Sequence, residues 1–310
     1  MTEKVFNHEV TAGLLRGWCA KDARDKDGLW YWDLSGAQSK PIFERGRNAR
    51  FAGVDFLYVG NNKGRPLSVA VEDGLGTHEN LLARFVQRLW KRSLANDREG
   101  HALARGALAG ILGFSNRGAW SITGLSELFD LSDEQRLEFL EDQFSAVMNS
   151  FSHWDFVFFQ EAPASLLICD APLFDLRLVA DRAHYLKTDT VLMPLGPSAA
   201  MIGIKSDRKG APRQSKHSHW TKPIDCEGLD IQISISKVPL SNQMTELFNQ
   251  FTLHRARRWV VAKTENELLA QTAFLQQDNL LKRIETDSVV ITNGGQFFER
   301  RNLKPPLSND

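Results

Sequence analysis

The chain has 310 residues, 42% of them hydrophobic and 25% charged, the balance of a soluble globular protein and not of a disordered or fibrous one. Its 38 basic residues meet 38 acidic ones, so no net field draws the molecule to nucleic acid or to anionic membrane, and a nucleic-acid role needs a local basic patch. The three cysteines, Cys19, Cys169 and Cys226, are odd in number and far apart, which argues against a disulfide framework or a zinc knuckle and for a reducing cytoplasm.

The opening "MTEKVFNHEV" has no apolar core of signal-peptide length, and Glu3 is unlike a transit peptide. No run is long enough to cross a bilayer; "ALARGALAGILGF" is short and carries Arg105, so no membrane is expected. Asn7 and His8 precede a short amphipathic stretch built on Leu14, Leu15 and Trp18. "GLWYWDL" (28–34), flanked by Asp-Gly and Ser-Gly, predicts a strand between turns. "ARFAGVDFLYVGNNKGRP" predicts a second strand running into a polar loop. From Thr77 the period becomes helical, through Leu81, Leu82, Phe85, Leu89 and Trp90. "HALARGALAGILGF" predicts another helix, in which Gly106 and Gly110 point to a close helix contact. Ser132 and Gln135 form a capping box for a third, with Leu137, Leu140, Phe144, Val147, Met148 and Phe151 as its apolar stripe.

Beyond residue 151 the pattern turns to strands. "DFVFFQ" and "SLLICD", separated by "EAPA", read as a hairpin. "TVLMPLGP" and "AMIGI" add strands to the same sheet, with Pro194 and Pro197 confining that segment to an edge or a strand end. Residues 205–223 are polar, basic and without period, hence a long loop. "DIQISISKV" alternates cleanly through Ile231, Ile233 and Ile235. A helix is expected from about Ser241 towards Arg255, and Thr264 with Glu267 makes a capping box for the next. "SVVIT" is the last strand, and the Pro305-Pro306 tail is expected to fray. Helices cluster early and strands in the middle. This predicts one α+β domain over 1–300 with a frayed 301–310 tail: a mixed or antiparallel central sheet, with helices of the N-terminal half and C-terminal helices packed on it.

Four places could carry chemistry. Asp170 ends the apolar run Leu166–Cys169, and Pro172 keeps Ala171 extended. Its carboxylate either caps a turn through backbone N–H groups or stands at the sheet edge as a metal ligand or base. His8 is a surface or helix-start residue, or else a general base or ligand, with Asn7 orienting it or capping the helix. In "VEDGLGTHEN", Glu72, Asp73 and Glu79 either complement a helix macrodipole or, for Glu72 and Glu79, share a divalent ion. The basic material comprises Arg45, Arg47, Arg50, the loop 205–216 and "HRARRW" (254–259). It is either a solvated surface or, with His217, His219 and Trp220, a contact for phosphate and base. Nucleotide-binding glycine motifs, a GxSxG elbow and HExxH are all absent from the sequence.

Taken in order, these blocks resemble a bacterial domain-of-unknown-function family, number 4238. "NHEVTAGLLRGW" is similar to its opening pattern through Asn7, His8, Val10, Leu15 and Arg16, with Thr11 in place of proline and Trp18 in place of phenylalanine. "DFLYV" followed by Glu72 and Glu79 resembles its next block. Asp170, Pro172, Pro194, Leu195 and Pro197 coincide with a Ser-Asp-x-Pro … Pro-Leu-Ser-Pro core in which Cys169 replaces the serine. Asn249 and Ala256 fall in register with its closing helix, so the likeness spans roughly residues 5–265. The resemblance brings no reaction, but it singles out His8, Glu72, Glu79 and Asp170, and adds Asn7, Arg16 and Asn249 as positions for substrate binding.

One imidazole and three carboxylates fit metal-assisted hydrolysis, with phosphodiester cleavage the natural candidate. The expectation is a cytoplasmic nuclease-type effector, in phage defence or as a toxin. In it Glu72, Glu79 and Asp170 hold Mg²⁺ or Mn²⁺, His8 serves as base or ligand, and the 205–216 loop steers nucleic acid. The alternative is a non-enzymatic regulatory module that recognises a protein, peptide or small ligand. An enzyme acting on nucleotides without a metal is a third.

Overall fold

Residues 6–8, 10–22, 24–34, 40–46, 49–55, 69–114, 149–175, 190–206, 230–271, 287–292 and 296–301 are described by a computed structural model. Strand β1 (Phe6–His8) precedes a one-turn helix, α1 (Ala12–Leu15), and a 3-10 turn, Arg16–Trp18. Thr11 caps α1 by accepting the Gly13 N–H at 3.3 Å, so Asn7 lies in a strand and does not cap the helix. There follow β2 (Ala20–Lys21), β3 (Asp27–Asp33), β4 (Ile42–Arg45) and β5 (Gly53–Asp55). Helix α2 spans Val69–Trp90, eight residues earlier than the apolar period at Thr77 predicts, because Gly74 and Gly76 mask its first turns in the sequence. Helix α3 (Arg98–Phe114) packs against it, and a Cβ on Gly110 would stand 3.1 Å from the His78 carbonyl, the close contact its glycines predict. The helix expected from Ser132 lies outside the described residues.

The middle of the chain supplies β6 (Trp154–Phe159), β7 (Ile168–Cys169), β8 (Phe174–Asp175), β9 (Thr190–Gly196), β10 (Ala199–Lys205) and β11 (Gln232–Ser236). Then come α4 (Asn242–Arg255), capped by Ser241, strand β12 (Trp259–Ala262), and α5 (Glu265–Leu269), whose Thr264–Glu267 capping box is formed as predicted. Strand β13 (Asp287–Thr292) is joined by β14 (Gln296–Arg301), which the sequence reading did not include; residues 302–310 lie outside the described residues.

The fold is α+β. One five-stranded sheet runs β2-β3-β12-β7 with β4 on the flank of β3, all antiparallel; the other runs β11-β6-β10-β9-β8, with β11 parallel to β6. The hairpin read across "EAPA" is not formed. β6 takes β10 and β11 as partners while β7 pairs with β12 in the other sheet, so the proline-bearing link is a crossing between sheets. β9 is not an edge strand as a whole. However, β8 covers only Val191 and Leu192, so among the described residues no strand flanks Pro194 on that side and its missing N–H breaks no ladder there.

Both sheets are buried on two faces. Leu29, Ile168, Trp259 and Val261 of the first and Phe156, Phe158, Met193 and Leu195 of the second join the core that contains α1, α2 and α3. Trp32, Cys169, Val260 and Leu192, on the opposite faces, join the core that contains α4. Period-2 side-chain alternation divides each strand between the two cores, and each fully buried Phe contributes about 1.5–3 kcal/mol of transfer free energy. Trp90 ties α2 to the second sheet: its indole N–H donates to the Leu195 carbonyl at 2.7 Å, and its ring lies against Gly17 and Gly196, where a Cβ would collide with it.

Candidate ligand-binding site

Asp170 follows β7 and is 1% exposed. One carboxylate oxygen accepts the backbone N–H of Arg257 at 3.0 Å and of Arg258 at 3.3 Å, which fixes the turn between α4 and β12. Burial pushes the Asp170 carboxyl above its ordinary range, and the two backbone N–H groups and the Arg257 guanidinium pull it back. Of the two roles open to Asp170, the geometry is that of a turn cap, reaching to the neighbouring strand of the same sheet rather than along its own loop.

The remaining predicted residues are spread over the fold. Asn7 and His8 pair with Val54 and Gly53 in the β1–β5 ribbon, and their side chains lie outside the described residues. So does that of Glu72, the fourth residue of α2. Glu79 is half-buried, ten residues into the helix and beyond the reach of its N-terminal dipole. Seven residues of helix put the Glu72 and Glu79 positions on one face. Arg16 is exposed on the 3-10 turn. Asn249 uses both ends of its amide on the strand approach to Asp170, accepting from Leu167 N–H at 2.8 Å and donating to Ser165 O at 3.0 Å. Lys205 is exposed at the end of β10, and the loop beyond Ser206 lies outside the described residues. "HRARRW" is not a solvated surface: Arg255 and Arg257 are buried, and Arg255 donates to Ala171 O at 3.3 Å. Among the described residues no three His, Cys, Asp or Glu side chains are grouped to hold a metal ion.

The turn that Asp170 pins forms one wall of a cleft of about 280 Å³, lined by Tyr31, Asp33, Glu44, Phe51, Arg258 and Trp259. Tyr31 and Asp33 share one face of β3 by alternation, and the register sets Trp259 of β12 opposite Asp33. Phe51 stacks on Tyr31 with ring centroids 4.0 Å apart and planes at 6°, and it meets Trp259 edge-on at 5.3 Å. Glu44 of β4 accepts the Arg50 N–H at 2.6 Å, and the Arg258 carbonyl accepts the Leu34 N–H at 2.8 Å, so both walls are fixed to the backbone. Burial raises the Tyr31 phenol above its ordinary range, and the charges of Glu44 and Asp33 raise it further. The Trp259 indole N–H is buried and has no acceptor among the described residues. A wider, shallower cleft adjoins and shares Tyr31 and Glu44; the Arg45–Asp22 ion pair, 2.8 Å long, lies on its rim. Of these residues the sequence places Tyr31 and Asp33 in a strand, Phe51 in the next expected strand, and Arg258 and Trp259 in the basic "HRARRW", but nothing in it brings them to one cleft.

No family model, no curated protein and no solved structure matches the chain. No helix among the described residues is long and apolar enough to cross a membrane.

Proposed function

We propose that the protein is a non-enzymatic binding module whose small ligand occupies the cleft between β3, β4 and β12. The observation that carries this reading is the meeting there of a stacked aromatic pair, two carboxylates and an arginine on a backbone fixed from both sides. Ligand pockets combine apolar walls with a few oriented polar groups, and a volume of about 280 Å³ suits a small molecule better than a peptide. Asp170 then serves the cleft from behind, as a positioning residue for Arg258.

Metal-assisted phosphodiester cleavage is supported less well. It asks Asp170 to ligate a divalent ion, whereas that carboxylate is buried and already accepts two backbone N–H groups. The likeness to family 4238 is kept as a proposed kinship with no reaction attached, and the odd number and wide spacing of the three cysteines support a cytoplasmic setting.

Thermal unfolding against a panel of amines, amino-acid amides, nucleosides, sugars and carboxylic acids tests the reading. A concentration-dependent rise in Tm that Trp259→Phe or Phe51→Ala diminishes is expected. No shift with any member of the panel overturns it.

A further inference from the structure

We infer that the outer edge of β4 docks an extended segment of another protein that carries a lysine or arginine opposite Glu44. Among the described residues β4 pairs with β3 alone. The Gly46 N–H donates to the Asp27 carbonyl at 2.8 Å, in the same register that sets Leu29 opposite Glu44 and Tyr31 opposite Ile42. Alternation then turns the backbone N–H and C=O of Ile42 and Glu44 towards β3, and those of Phe43 and Arg45 away from it. Neither outward N–H has an acceptor among the described residues. The shallow cleft beside the first, about 870 Å³, is lined by all four residues of β4, so this edge borders open volume. An open row of backbone groups is a template for an added strand, whose main chain supplies affinity and whose alternate side chains supply specificity.

The charge on β4 selects the occupant. Glu44 is half-buried, accepts the Arg50 backbone N–H, and forms no ion pair among the described residues. Arg45 beside it is already paired with Asp22 at 2.8 Å. A strand added antiparallel bonds through the residues opposite Phe43 and Arg45. The residue between them stands opposite Glu44 in a non-hydrogen-bonded pair, where side chains on one face approach most closely. A basic side chain there meets the carboxylate, and an apolar neighbour lies against Phe43 and Trp30, whose ring centroids are 4.9 Å apart. A second copy of this chain fits badly. The register that bonds Phe43 and Arg45 of both copies sets Glu44 against Glu44. Centring on Phe43 sets Arg45 against Pro41, which has no N–H to give, and centring on Arg45 opposes two guanidinium groups.

The probes are acetyl-Thr-Val-Lys-Val-Thr-amide, the same peptide with glutamate for lysine, and the lysine peptide N-methylated at both valines. Each is titrated to millimolar concentration into the isotope-labelled full chain, read by the backbone amide resonances of Phe43 and Arg45. Saturable shifts of both amides are expected with the lysine peptide, and binding about tenfold weaker with the glutamate one. The N-methylated peptide cannot donate to the edge and is expected to shift neither amide. Glu44→Gln, its folding checked by circular dichroism, is expected to bring the lysine and glutamate peptides within about twofold of each other. Undisturbed Phe43 and Arg45 amides with the lysine peptide, or equal binding of the N-methylated one, overturn the inference. So does a dimer in sedimentation equilibrium that the lysine peptide dissociates, which gives the edge to a second copy. The small-ligand reading of the neighbouring cleft is independent of all these outcomes and stands or falls on its own panel.

Discussion

The carboxylate of Asp170 and the backbone of Arg257 are joined by a 3.0 Å hydrogen bond across 87 residues of chain. Around that bond lie Arg255, Arg257 and the Arg258 N–H, so removing the carboxylate strands buried donors and buried positive charge together. Asp170→Ala is expected to cost about 3–5 kcal/mol. Asp170→Asn keeps an oxygen acceptor and is expected to cost about 1–3 kcal/mol. Urea unfolding of the two variants checks the order; equal stability of both with the parent contradicts the turn-pinning role.

Titration with Mg²⁺ or Mn²⁺ separates binding from metal-assisted hydrolysis. On the binding-module reading, calorimetry records no heat above dilution, and neither RNA nor DNA is cleaved. Saturable heat, with cleavage abolished in Asp170→Asn at unchanged stability, restores the hydrolytic reading with Glu72, Glu79 and His8 as its other members.

His78 makes stability depend on pH. It is buried in α2, and burial lowers its imidazole from 6.5 to about 4. Below pH 6.5 the unfolded chain takes up a proton that the native state refuses until about pH 4. Stability therefore falls as pH falls through this window, by about 3 kcal/mol in total at the usual value of a pKa unit. The difference in unfolding free energy between parent and His78→Leu, followed from pH 7.5 to 4, isolates this slope from that of the carboxylates. Parallel curves refute it.

Asn249 clamps the segment that leads into β7 through Leu167 N–H and Ser165 O. Asn249→Ala leaves both without their partner and is expected to cost about 1–3 kcal/mol. Because Asn249 does not line the cleft, ligand affinity measured at a temperature where the variant is folded is expected to stay unchanged. Lost affinity in a stable variant returns Asn249 to the substrate-binding residues.

What the sequence made legible was local. Ser241, Thr264 with Glu267, the turn-bounded aromatic run of β3 and the alternation of β11 act through neighbours within a few residues, and each element begins where expected, although the helix opened by Thr264, expected to run on through "ELLAQTAFLQQDNLLKRI", ends at Leu269. Pairing partners were not legible. β6 and β7 look like a hairpin because their link is short, yet their partners lie more than 40 residues along the chain, at β10, β11 and β12. The start of α2 was hidden because glycine propensity opposes it. Asp170 was visible as a buried-strand carboxylate with two readings, but its acceptor role needs Arg257 and Arg258, which "HRARRW" presents as surface charge. The cleft gathers residues 31, 33, 44, 51, 258 and 259, and no window of sequence contains both of its walls.

Strand β12 lies between β3 and β7, although it is made long after either of them. During synthesis the apolar rows of β3, Leu29 on one side and Trp32 on the other, emerge more than 200 residues ahead of the strand that pairs with them. A ribosome-bound intermediate thus carries an open, aromatic sheet edge, and a premature stop before Trp259 yields a sticky fragment and not a smaller domain.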